Sequence, residues 1–241
     1  MMHLSRDLHL YIINVETDDT RKKSAQDEAV SLGIQSSLVS AVTPKEIINP
    51  DELYVSEGVH AVWLSHMKAM NIFLRTKEEF AIISEDDFKI IDRAKLLKKL
   101  TLCVNSNFDY VQFGYLRPGI DTRINIYLTN IQQLGFKFLC YFSKSPLLRK
   151  IINFDRMRIR EADGLPAGLV LSNSQPGAHF YLVSRKFAEA IQGLNSPQFL
   201  SIDDFYSSLA KMRAFKMVRV RKSLVGQKDF PSWSGSRFRE K

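Results

Sequence analysis

The chain has 241 residues, 45% of them hydrophobic, enough to bury a substantial core; disorder is excluded as the default, and one domain over residues 1–241 is expected. No stretch approaches the roughly 18 consecutive apolar residues that a membrane span needs. Residues 1–15, with Arg6, Asp7 and His9 among short apolar runs, lack a signal-peptide core, so a cytoplasmic protein is expected.

The predicted elements alternate. An apolar strand over 8–15 precedes a helix over 20–32, for which Gly33 fits a C-terminal stop, and then a strand over 37–42. Val59, Val62, Trp63, Met67, Met70, Phe73 and Leu74 recur at helical spacing, and a strand follows at 80–84. A helix over 93–104 and a strand over 110–115 complete a βαβαβαβ order, which favours a mostly parallel sheet with helices on both faces. Such sheets carry ligand chemistry at the C-terminal ends of their strands, where Asn14, Glu85, Asp86, Asp87 and Gly114 fall. After the turn at Arg117, Pro118 and Gly119 the pattern loosens until Gly168. It resumes with a strand over 178–183, a helix capped by Ser184 and running to Ile191, and a helix over 201–211 opened by a capping-box variant. The aromatic cluster of Tyr127, Phe136, Phe138, Tyr141 and Phe142 reads as core, and residues 231–235 as a loop. Cys103 and Cys140 suit reduced core thiols.

The most informative passage is 79–88, where an apolar strand ends in Glu85, Asp86 and Asp87. Adjacent carboxylates repel, and a cation or converging hydrogen-bond donors would offset that repulsion. The plainer alternative is a helix cap with two solvated acids. If the strand persisted, Glu85 and Asp87 would share a face and Asp86 would point away. His66 lies on an apolar helical stripe and reads as a buried, hydrogen-bonded core histidine, with Ser65 beside it.

The net charge of +8 is concentrated at the C-terminus, where Lys211, Arg213, Lys216, Arg219, Arg221, Lys222, Lys228, Arg237, Arg239 and Lys241 face only Asp229 and Glu240. A basic tail over 223–241 attracts polyanions such as nucleic acid or an anionic membrane. No nucleic-acid partner is expected, for the chain has no RNA-binding aromatic signature, zinc-finger spacing or heptad-linked basic helix. A solvated charged face is the simpler alternative, and 215–220 reads equally as a core strand.

Several stretches share one further property. Ile12, Ile13, Asn14 and Val15 with Arg21; Leu32, Gly33 and Ile34 leading to Ser40, Ala41 and Val42; Gly58 followed by Trp63, Leu64, Ser65 and His66; and Ile82 to Asp87 stand in the order of motifs from a single family. So do the stretches 109–114, 177–184, Ile202 to Phe205 and Ser223 to Gln227. Together they resemble the family 25 glycosyltransferases of bacterial lipopolysaccharide synthesis, which are related to collagen galactosyltransferases. Ser84 and Ser223 depart from the usual pattern, and 117–174 offers nothing to align.

The resemblance implies a GT-A-like, Rossmann-like α/β fold with a mostly parallel sheet flanked by helices. Residues 1–116 would form the nucleotide-sugar half and 117–222 the acceptor side. It implies inverting transfer of a hexose, galactose in the first instance, from a UDP-sugar to a lipopolysaccharide or other glycan or glycolipid acceptor. Mn²⁺ or Mg²⁺ would sit at Asp87 and Asp86, with Asn14, Arg21, Glu85, Asp86 and His179 on the donor side. Asp203 is the expected catalytic base, although its place at a helix start would lower its pKa and weaken it. The basic tail would hold the enzyme peripherally at the inner face of the membrane. A metal-dependent hydrolase or phosphotransferase, or a non-catalytic glycan- or membrane-binding module, are the competing readings.

Overall fold

A computed structural model describes residues 8–48, 55–115, 165–171, 177–192, 200–213 and 215–230. Local chemistry accounts for its elements. Strand β1 (His9–Asn14) leads to helix α1 (Asp19–Leu32), where Asp18 caps by accepting from the Arg21 amide and Gly33 closes the helix at φ 68°, a conformation that favours glycine. Strand β2 (Gln35–Ser40) follows, then helix α2 (Glu57–Leu74), capped by Ser56. Next come β3 (Phe80–Glu85), β4 (Phe88–Ile90), helix α3 (Arg93–Asn105), capped by Asp92, and β5 (Tyr110–Gln112). The later chain supplies β6 (Leu169–Leu171), β7 (Phe180–Ser184), helices α4 (Arg185–Gln192) and α5 (Ile202–Met212), β8 (Met217–Val220) and β9 (Val225–Gln227). Ser184 accepts from the Phe187 amide at 3.1 Å, and Ser201 caps α5 through the Asp204 amide, as their sequence positions predict.

Among the described residues, seven strands form one sheet in the order β2-β1-β3-β7-β5-β8-β6. Strand β1 pairs parallel with β2 and β3, and β5 with β8, whereas β7 is antiparallel to both β3 and β5, and β6 to β8. Five of the seven strands therefore run one way. Strands from the two parts of the chain interleave, for β7, from after residue 164, lies between β3 and β5, which both precede residue 116.

Alternate residues of each strand feed two cores. Tyr11, Ile13, Ile83, Tyr181 and Val183 pack with Trp63, Met70 and Phe73 of α2, Phe187 of α4 and Phe205 of α5. Leu10, Ile12, Ile82, Phe180, Leu182 and Val218 pack with Ala25 and Ala29 of α1 and Leu96 and Leu100 of α3. The alanines let α1 lie close to the sheet. The result is a helix–sheet–helix sandwich, a Rossmann-like α/β fold with a mostly parallel sheet.

Strand β7, expected over 178–183 with no direction assigned, runs antiparallel to both of its neighbours, β3 and β5. One expectation, the basic tail, needs correction. Over residues 223–230 the basic C-terminus is not a tail: β9 pairs antiparallel with β4, with Leu224 and Val225 in the core, while β8 bears out the core-strand reading of 215–220. Met217, Val218 and Val220 are buried, whereas Lys216, Arg221 and Lys222 flank the strand exposed and Arg219 lies half-buried over the Tyr115 ring. Cys103 is buried, and burial pushes its thiol up to about 12. The turn at 117–119, the aromatic cluster at 127–142, Cys140 and residues 231–241 lie outside the described residues.

Candidate functional site

The C-terminal ends of β1, β3 and β5 meet at one edge of the sheet. Because β7 runs the other way, its N-terminal end reaches the same edge and brings Gly177, Ala178 and His179 there. The His179 carbonyl accepts from the Glu85 amide at 3.1 Å, which ties the two approaches together. Helix α5 adds Asp203 from its first turn.

Strand β3 ends at Glu85, and Asp86 and Asp87 form the turn into β4. The strand alternation stops there, so Asp86 does not point away: both aspartates converge on Arg21. Its Nη2 lies 2.6 Å from Asp86 Oδ1 and 3.0 Å from Asp87 Oδ2. Asn14 donates to Asp86 Oδ2 at 2.7 Å, and Gln227 to Asp87 Oδ2 at 2.9 Å. The offset to carboxylate repulsion anticipated from sequence is thus supplied in part by the protein's own guanidinium. Arg21 and Asn14, expected to contact the donor, support the acidic turn from below, and the Phe230 ring covers Arg21.

Glu85 is held differently. Its carboxylate stays 29% exposed and lies 3.5 Å from His66 Nε2. Burial raises its pKa, but His66, His179 and Arg21 together bring it below the ordinary value. The charge on Glu85 then acts on its neighbours. Asp87 is pushed up to about 7, by burial first and by Glu85 second, against Arg21 and Gln227. Asp86 is raised mainly by burial, opposed by Asn14 and Arg21.

Asp203 accepts from the Gly177 amide at 2.9 Å through one oxygen and from the Ala178 amide at 2.6 Å through the other. Gly177 sits at φ 106°, so the turn that presents these two amides favours glycine there. Burial and the charge of Glu85 raise Asp203 to about 6, outweighing the two amides. The low pKa anticipated from the helix start is therefore not found. Asp204 takes the capping role, accepting from Ser201 Oγ at 2.7 Å.

His66 is fully buried and hydrogen-bonded to Tyr181, as its apolar stripe predicted, but its other nitrogen faces Glu85. Ser65 is structural, bridging the Ala61 carbonyl and the Val42 amide. His179 is 1% exposed and packs on Gly114, where a Cβ would collide with its ring. Burial lowers its pKa, with Glu85 and the Val225 carbonyl opposing. Asp87 Oδ1 and His66 Nε2 are buried without a hydrogen bond among the described residues. Among the described residues, no three or more His, Cys, Asp and Glu side chains are placed to hold a metal ion together.

The structure thus gathers Asn14, Arg21, Glu85, Asp86, Asp87, His179 and Asp203 at one edge. Sequence reasoning missed Gln227 and Lys228. Lys228 donates its amide to the Asp87 carbonyl at 2.6 Å, and its Nζ reaches Glu28 Oε1 at 3.1 Å and Ser24 Oγ at 2.5 Å on α1. Both residues lie in or beside the C-terminal motif at 223–227, which was the available signal. In comparisons with known proteins, no family model matches this chain, and no curated protein matches its sequence.

Proposed function

We propose that this chain is an inverting glycosyltransferase of GT-A-like architecture that moves a hexose, galactose in the first instance, from a UDP-sugar to a lipopolysaccharide or other surface-glycan acceptor. One observation carries the reading: an acidic turn whose Asp87 Oδ1 is buried with no hydrogen-bond partner among the described residues shares a sheet edge with a second acid, Asp203, fixed by two backbone amides. The residues nominated by the family resemblance all stand in this one constellation.

Transfer of a glycosyl group leaves a nucleoside diphosphate that gains negative charge, and it needs an acceptor for the proton of the attacking hydroxyl. Asp203 suits the second task. Its amide contacts fix the carboxylate, each oxygen keeps a lone pair, and a pKa of about 6 makes it more basic than an ordinary aspartate while leaving it ionised at neutral pH.

For a divalent cation the donor set fits in part. Asp86 has both oxygens engaged, whereas Asp87 keeps Oδ1 and Glu85 remains partly exposed. Asp87, with Glu85 beside it, would hold Mn²⁺ or Mg²⁺ together with donor phosphates, as hard cations need only one or two protein carboxylates there. When bound, such an ion supplies charge neutralisation for the departing diphosphate. Asn14, Arg21 and Gln227 hold the aspartates in place for it. The acceptor would be presented at an anionic inner membrane face, met by exposed basic residues such as Arg221 and Lys222.

Calorimetry of UDP binding with and without Mn²⁺ tests the reading. Tight coupling between the two is expected, and Asp87→Ala should abolish the coupling and lower turnover about 100-fold or more. UDP affinity indifferent to the metal would sink the assignment of the acidic turn.

A further inference from the structure

The acids of the edge are held in different ways. Asp86 is fixed by Asn14 and Arg21, Asp87 by Arg21 and Gln227, and Asp203 by two backbone amides. Glu85, the partly exposed one, is approached by His66. A side chain with three rotatable bonds at a wet edge loses orientation unless something fixes it.

Behind His66 stands a line of buried hydroxyls. His66 Nδ1 lies 2.7 Å from Tyr181 Oη, which lies 3.3 Å from Tyr206 Oη. The His66 and Tyr181 rings stack with centroids 5.7 Å apart, so the imidazole has little freedom to rotate. Tyr206 is three residues after Asp203 on α5, on the same side of that helix. The line therefore crosses the inner core from α5 through β7 and α2 to the end of β3. Its far end is polar: His66 Nε2 is buried, and among the described residues its polar neighbour is Glu85 Oε1 at 3.5 Å.

We infer that His66 is a positioning residue for Glu85, with Tyr206 and Tyr181 forming a hydrogen-bonded line that sets the imidazole so that Nε2–H points at the carboxylate. This rests on the glycosyltransferase reading for what Glu85 then does, which is to meet the cation or phosphates of the donor. Polar lines of this kind orient ligating groups elsewhere, and their loss typically costs about 10- to 100-fold in affinity or activity. The 3.5 Å separation is the length common in ligand-free sites, where such contacts tighten on binding.

Asparagine and glutamine separate the two ends of the imidazole. His66→Asn retains a polar group near Nδ1 for Tyr181 but has nothing at the position of Nε2; His66→Gln extends an amide toward Glu85. With UDP and Mn²⁺ as the calorimetric probe, His66→Asn should weaken binding about 10- to 100-fold and His66→Gln should restore most of it. In a Glu85→Gln background the His66→Asn change should have no further effect. Equal binding by wild type and both variants, or equal loss in both, would overturn the inference.

A second measurement needs no donor. Nitrogen-15 imidazole spectra of the ligand-free protein should show the His66 proton on Nε2, and Tyr181→Phe, which leaves the ring packing intact, should erode that preference. A proton on Nδ1 alone overturns the inference whatever the binding result. Failure of the wild-type protein to bind UDP and Mn²⁺ at all would instead overturn the functional reading, leaving the spectra to decide on the line itself.

Discussion

Asp203 shows why a local rule and its tertiary setting can disagree. The first turn of a helix lowers the pKa of a carboxylate by a modest, solvent-screened interaction. Here burial and the neighbouring charge of Glu85 are larger, and the pKa moves up to about 6. A carboxyl with a folded pKa above its unfolded value of about 3.9 binds more protons folded than unfolded between the two. Its contribution to stability therefore declines as pH rises from about 4 to about 6. Activity runs the opposite way, because a base must be ionised: kcat/KM should fall as pH drops through about 6. Asp203→Asn should abolish transfer while preserving UDP binding, and should flatten the stability profile over that window. It also leaves the Gly177 or Ala178 amide without an acceptor, costing about 1–3 kcal/mol. Rate profiles and denaturant midpoints across pH check both claims; near-normal transfer by the variant would remove Asp203 from the mechanism.

Among the elements, the short β4–β9 pair has the most consequence for the site. It carries the chain away from the acidic turn and returns Gln227 to Asp87. Lys228 then fastens this pair to α1: the lysine binds Glu28, and the other Glu28 oxygen accepts from the Ile90 amide at 3.1 Å. Lys228→Met should cost about 1 kcal/mol, the range of a partly exposed ion pair with one further hydrogen bond. Hydrogen exchange at the Ile90 amide should quicken in the same variant, while amides of β1 and β3 keep their protection. Unchanged exchange at Ile90 would show that the pair is held by its own ladder. This pairing was not legible from residue order, since three-residue strands have too little periodicity to register, and Lys228 looked like one more surface charge.

Across the whole molecule, β7 joins the β2-β1-β3 part of the sheet to β5-β8-β6. Phe180 lies at its start, fully buried against Phe88 and Phe113, so Phe180→Ala should lower global stability by about 3–5 kcal/mol, read as a fall in the unfolding midpoint. Surface charge makes a separate prediction. No helix among the described residues is long and apolar enough to cross a membrane, and Lys228 is committed internally. Attachment to anionic vesicles, if it serves the acceptor, should depend on residues such as Arg221 and Lys222, at about 1 kcal/mol each, and should weaken with salt. Flotation with anionic and neutral vesicles at low salt checks this, and equal failure with both would leave the charges as a solvated face.

The amino-acid order alone determined most of the helices and longer strands, the caps at Ser184 and Ser201, the stop at Gly33 and the placing of Glu85 to Asp87 at a strand end. These depend on neighbours within a few residues, where periodicity, capping and glycine conformation act. Only the tertiary structure decided that Asp86 and Asp87 share Arg21, that β7 runs antiparallel and so delivers His179, and that residues 225–227 pair with β4 beside the acidic turn. Each of those outcomes depends on pairing and burial between residues far apart in the chain. The same holds for the pKa of Asp203, for desolvation and the charge of a distant residue leave no mark on the local sequence.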